Sequence, residues 1–377
     1  MSLKSLAVLF SSTAMILLAF SAAAIEPEEA ADALVAALAK GSDSEATYES
    51  AEADGSDVVI SGLTVSRGAD EPTLSFAETT IEAPTDSDNG VFDSPSISFS
   101  DGTISGKSTG ALASATLTGV TVLDPATMKG DGLGESILFE TAEGIGLRAT
   151  REAEPGEITV ARIYVETGNV VDNIAQDSSG LVEDLVLPPE VFVDATVKPE
   201  TLGYDKIVVD ISWDGSRDVT AGTMTLEDLT LSIEGGGDLS ITGVLGKLPN
   251  PRALNDAGAT DAASKVEVHR IAIRYDDDSL AGRVLDYMAA QQGISRDDYA
   301  NQMAAALPFL LAVLNNPAFQ NQVAQALAAF LKDPQSLSIT FAPETPVSGA
   351  EIMGLAGTAP QTIPDRLKAS VEANSPE

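Results

Sequence analysis

Over most of this chain apolar and polar residues alternate with a period of two, and near the C-terminus the period lengthens to that of a helix. The two-residue pattern begins at Tyr48. Its clearest instance is Lys206–Trp213, where Ile207, Val209, Ile211 and Trp213 share one face and polar residues mostly fill the other. That is the pattern of a one-sided antiparallel sheet; a buried parallel sheet would show continuous apolar runs. Clusters such as Asp54-Gly55, Asp101-Gly102, Asp214-Gly215 and Gly235-Gly236-Gly237-Asp238 predict the turns between strands.

A second regularity lies within the strands. The pattern apolar-x-apolar-x-x-apolar-x-apolar recurs at Val58/Ile60/Leu63/Val65, Ala115/Leu117/Val120/Val122, Ile158/Val160/Ile163/Val165, Met224/Leu226/Leu229/Leu231 and Val266/Val268/Ile271/Ile273. One extra residue in mid-strand restores the apolar face, as a β-bulge does. Bulges repeated on several strands predict a long curved antiparallel sheet, a trough or half-barrel. Leu181–Pro189 reads as a boundary between two β halves, and Leu248–Ser264 as a loop.

Helical spacing appears twice. A short N-terminal helix is predicted over Glu28–Lys40, with Ala31, Leu34, Val35 and Leu38 as its stripe. A three-helix cap is predicted between Asp278 and the strand Ser336–Phe341. Ser279 caps its first helix and Gly293 ends it, and Ser295 with Asp298 opens the second. Pro308 kinks the second helix, and Asn316-Pro317 starts the third. Met303, Leu307, Leu310, Leu314, Phe319, Val323 and Phe330 fall on the apolar stripes and form the candidate ligand or lid face. These stripes either pack on the protein's own sheet or form a movable lid over a lipid-sized cleft. Pro364 starts a short last helix, Asp365–Ala369, and Lys368–Val371 turns into an edge strand. The expected organisation is thus a leader over 1–24, a helix and first strand over 25–56, a curved β domain over 57–275, the helical cap and strand over 276–341, and a Pro-rich segment over 342–377.

Composition narrows compartment and partners. Lys4, the apolar run Leu6–Phe20 and Ser21-Ala22-Ala23-Ala24 read as a secretory signal cleaved after Ala24. The expected location is the periplasm; an uncleaved inner-membrane anchor is the alternative. With no cysteine, lipobox attachment and disulfides are excluded. The 57 acidic against 21 basic residues give a formal charge of −36. Such a field repels nucleic acid and anionic headgroups, which leaves peripheral or transient membrane contact at most.

The export signal, the bulged strands, hairpins such as Gly222–Gly243 and a helical insert before a last strand together resemble the AsmA-like group of bacterial envelope proteins and related uncharacterised periplasmic β-sheet proteins. The resemblance covers roughly 57–275. It implies a sheet that curls into an apolar groove and holds or moves lipid. This chain is shorter than that group, so binding or buffering of a lipid fits it better than transport across an envelope.

No catalytic, cofactor or metal motif stands out. His269 is the single histidine, too few to build a metal site from the usual ligands. Asp276-Asp277-Asp278 either caps the following helix or binds a hard cation through its oxygens; Asp86-Ser87-Asp88-Asn89-Gly90 lacks the Glu that a calcium loop requires, and Gly130-Asp131-Gly132-Leu133-Gly134 reads as a turn. The expected function is non-enzymatic binding of an apolar ligand, a lipid above all, without a cofactor. The alternatives are a structural or interaction component of the envelope with an envelope protein as partner, and a hydrolase with an unrecognised site.

Overall fold

The computed structural model describes residues 25–39, 44–66, 68, 71–124, 136–151, 154–192, 195–249 and 264–376. The leader over 1–24, the glycine-rich turn at 130–134 and most of the loop at 248–264 lie outside the described residues. The fold is mainly β, with a short N-terminal helix and C-terminal helices. All pairings described among its strands are antiparallel.

The chain divides into two compact units, the first over 1–106 and 114–140, the second over 107–113 and 141–377. Both take part of the 57–275 range read as one β domain. The first unit holds α1 (Pro27–Leu38), β1 (Glu45–Thr47), β2 (Ser50–Asp54), β3 (Asp57–Ser66), β4 (Thr73–Ile81), β5 (Thr85–Asp86), β6 (Phe92–Ser105), most of β7 (Ser108–Val122) and β8 (Ile137–Leu138). Pro27 starts α1 where its missing N–H costs nothing, and Glu28 and Glu29 suit the positive helix end. Its buried residues are Ala30, Ala31, Ala33, Leu34 and Ala37. Ile60, Leu63, Ile81, Phe92, Ile97 and Val122 are fully excluded from water, so this unit has an ordinary dry core.

The second unit runs through β9 (Thr141–Arg151), β10 (Glu154–Gly168), β11 (Asp177–Leu187), β12 (Ile207–Asp218), β13 (Thr223–Ile233), β14 (Gly237–Gly246), β15 (Glu267–Asp277) and β16 (Ser336–Phe341), each paired to the next. β18 (Ser370–Ala373) pairs with β16, and β17 (Val347–Ser348) with the start of β15. No pairing among the described residues joins β9 to β18, so this sheet is open. Between β15 and β16 stand α2 (Leu280–Gln292), α3 (Arg296–Leu310), a 3-10 turn (Leu311–Leu314) and α4 (Pro317–Lys332). α5 (Gly349–Thr358) and α6 (Ile363–Arg366) follow.

The bulges fall in part where the sequence pattern put them. Pairing shifts register around Glu227-Asp228 in β13 and at His269 in β15, each strand having one extra residue. Gly62 and Gly119 instead adopt left-handed backbone, with φ of 65° and 57°. Ala161-Arg162 shows no shift. A further bulge, unmarked in the sequence, lies in β11, where Asp184 has φ of 51° and its N–H donates to the Asp210 carboxylate at 2.8 Å.

Several expectations need correction. Leu181–Pro189 is no boundary: most of it is β11, hydrogen-bonded on both sides. Asp101-Gly102 and Asp214-Gly215 are not turns between strands; they lie inside β6 and β12, because paired neighbours on either side carry the ladder through them. The Gly235–Gly237 hairpin forms as expected. Ser279 does not cap α2 with its side chain, since its hydroxyl donates to the Gly235 carbonyl. The Gly236 carbonyl takes the N–H groups of Asp278, Ser279 and Leu280, and the Asp277 carboxylate takes that of Ala281. α5 lies within the segment that the sequence predicts only as Pro-rich.

Candidate functional site: an apolar sheet face under a helical hairpin

Directly paired residues in an antiparallel sheet point to the same side. Following the pairs across the second unit gives one unbroken row: Ile163–Val182–Ile211–Leu231–Leu239–Tyr275–Leu337–Ala373. A second row, along one side of the first, adds Val165–Gly180–Trp213–Leu229 and continues through Ile241–Ile273–Ile339–Val371. The opposite face carries Ser212–Thr230–Ser240–Arg274–Ser338–Glu372 in sequence. Eight strands about 4.8 Å apart make the apolar row roughly 33 Å long.

This face is unlike the core of the first unit. In the apolar rows only Val371 is buried; the other side chains stay partly in water, and Leu239 is 38% exposed. Trp213, the single tryptophan, lies across Gly180, where a Cβ would collide with its ring. Its indole N–H donates to Ser178 at 3.2 Å.

The helices cover one end of the face. Phe319, Val323, Ala326 and Phe330 recur at helical spacing along α4, which packs on β16 and β18. Asn316 sets the start of that helix. Its buried side chain accepts from the Phe319 N–H at 3.1 Å and donates to the Gln361 carbonyl at 3.0 Å and the Asp365 carboxylate at 3.2 Å. Asn316→Ala removes both the cap and the tie to the C-terminal segment. It should cost about 1–2 kcal/mol, read as a lower denaturation midpoint. An unchanged midpoint would show that this end of α4 is held by packing alone.

Between α4 and the sheet remains a cavity of about 370 Å³. Leu314, Phe319 and Val323 line it from the helices, and Ile273, Tyr275, Leu337, Ile339 and Val371 from the strands. Its size lies at the lower end of small-ligand sites. A second hollow of about 170 Å³ adjoins it, lined by Met224, Leu226, Ile241, Leu245 and Ile271. The two meet where Ile241 pairs with Ile273. The main polar group at the larger cavity is Tyr275. Its hydroxyl donates to the Asp277 carboxylate at 2.7 Å, and its ring meets Phe330 edge-on at 6.2 Å. Burial, reinforced by that carboxylate, pushes the phenol well above its ordinary range, so it stays protonated.

The stripe residues thus have different fates. Leu314, Phe319 and Val323 come together at the cavity. Phe330 rests against Tyr275. Met303 packs with Ile294 and Leu331 on the Leu285–Ala289–Tyr299 cluster that joins the helices, and Leu307 is buried. Leu310 turns outward and is 54% exposed. Beside it Phe309 and Val313 are each 85% exposed, and neither was singled out by the stripe. A usable signal was present: from Tyr299 to Leu331 there is no Asp, Glu, Lys, Arg or His, in a chain that is 21% charged.

Among the described residues no group of three His, Cys, Asp or Glu side chains could hold a metal ion. His269 sits in the β15 bulge beside Gly246. No described helix is long and apolar enough to cross a membrane. The site therefore belongs to a helix-capped, open antiparallel sheet with one wet apolar face. Residues 230–374 match the model of a family described only as "Uncharacterized protein". Every residue lining the larger cavity falls within that span. No curated protein matches the chain.

Proposed function

We propose that this protein binds an apolar ligand of lipid type on the sheet face of its second unit, without chemistry on the ligand, after export to the periplasm. The observation that carries this reading is the unfilled cavity between α4 and the sheet, continuous with a row of apolar side chains left in water. A monomeric protein gains by covering such a surface, since each buried methylene is worth about 0.8 kcal/mol. The row's rough 33 Å compares with about 15 Å for one leaflet of a bilayer's hydrocarbon core, so an acyl chain fits along it with room to spare. The likeness to AsmA-like proteins points to the same ligand class.

Trp213 makes the test direct, because all tryptophan emission comes from this face. Titration with a monomeric long-chain fatty acid should shift its emission to the blue and saturate at a fixed stoichiometry. A native mass spectrum of the same sample should show the adduct. Unchanged emission together with a clean unliganded mass would sink the proposal and favour an envelope interaction component.

A further inference from the structure

The tip of the helical hairpin presents large apolar side chains to water where a core or a polar loop would be expected. Pro308 removes a backbone donor inside α3, and the helix passes into the 3-10 turn Leu311–Leu314. That change of pitch breaks the phase of the stripe. Leu314 turns to the cavity, while Phe309, Leu310 and Val313 turn outward. Three exposed large hydrophobics within five residues stand next to the cavity's own wall. The surrounding charge is equally unusual, since no ionisable side chain other than Tyr299 occurs from Tyr299 to Leu331 while the whole chain carries −36.

We infer that this tip, Phe309–Val313, is a docking surface for an electroneutral lipid bilayer, through which ligand reaches or leaves the cavity. The inference rests on the lipid-binding reading above. Its partner follows from size and charge. Three side chains are far less than the roughly 800 Å² per partner of a stable protein interface, but they suit shallow insertion at the headgroup–acyl boundary, which needs no matching shape. The acidic chain repels an anionic surface, and the uncharged hairpin offers nothing for an ion pair. Zwitterionic headgroups are the surface that remains. The placement of Leu314 and Phe319 carries the apolar path from the tip into the cavity.

The absence of cysteine allows one probe at a time to be placed. Val313→Cys and, as an exposed control on β13, Glu227→Cys are each labelled with an environment-sensitive nitrobenzoxadiazole group in the full chain. With phosphatidylcholine vesicles the label at 313 should brighten several-fold and shift to the blue, and the label at 227 should not change. Adding phosphatidylglycerol should weaken the response. Phe309→Asp, at a site 85% exposed, should abolish it. That variant should keep the Trp213 response to monomeric fatty acid, which reports the apolar sheet face separately. No response at 313, or an equal one at 227, would overturn the docking surface. So would a rise with protein concentration in the absence of vesicles, which would assign the tip to a second copy of the chain. A silent tip with a responsive Trp213 would leave ligand binding standing, and the reverse would remove ligand binding and leave the docking surface.

Discussion

Val323→Trp should weaken binding of a long-chain fatty acid by about 100-fold while leaving the fold as stable as before. Val323 faces a cavity of about 370 Å³ across from Ile339 and Val371. An indole added there displaces ligand. Excluding some four methylenes at about 0.8 kcal/mol each removes roughly 3 kcal/mol, or two powers of ten in affinity. The same change in a close-packed core would cost about 1–3 kcal/mol of stability, because there would be no room for the ring. Affinity and stability therefore separate at this position. Isothermal titration and urea denaturation of the same preparation read both. Unchanged affinity would move the ligand away from the cavity. A large loss of stability would show that α4 lies tighter on the sheet than the cavity implies.

Phe92→Ala and Leu239→Ala should differ sharply in cost. Phe92 is fully excluded from water in the first unit, where truncation of an aromatic leaves a cavity worth about 3–5 kcal/mol. That is a large share of the roughly 5–15 kcal/mol that keeps a protein folded. Leu239 lies in the middle of the apolar row of the second unit and is 38% exposed, so its truncation should cost under about 1 kcal/mol. Circular dichroism in urea gives both values. Equal costs would mean that the row is packed as a core and is no surface for a ligand.

Much of this arrangement could be read from the residues, for identifiable reasons. Strict alternation in Ile207–Trp213 fixes which side of β12 is apolar, and pairing propagates that choice to its neighbours. The helices start and stop near their predicted places because Ser295, Asn316-Pro317 and Gly293 act locally. The exceptions involve competition from further away. Asp101 and Asp214 have turn chemistry, but neighbouring strands override it. The cap of α2 comes from the Gly236 carbonyl, more than forty residues upstream, which helix grammar does not reach. α5 holds three glycines in ten residues and so resembled a loop. For the candidate site, periodicity found Leu314, Phe319 and Val323. It could not show that Phe309 and Val313 face water, since a proline and a change of helix type reset the phase between them and the stripe.

The half-wetted face also sets how stability responds to temperature. Unfolding normally exposes about enough apolar surface to raise the heat capacity by 12–15 cal/mol/K per residue. In the second unit a row from Ile163 to Ala373 already meets water before anything unfolds. Part of its share of that increment is therefore absent, and the curve of free energy against temperature is flatter than chain length alone dictates. Occupation of the face restores the missing increment, so the filled protein is the one with the ordinary, strongly curved thermal profile.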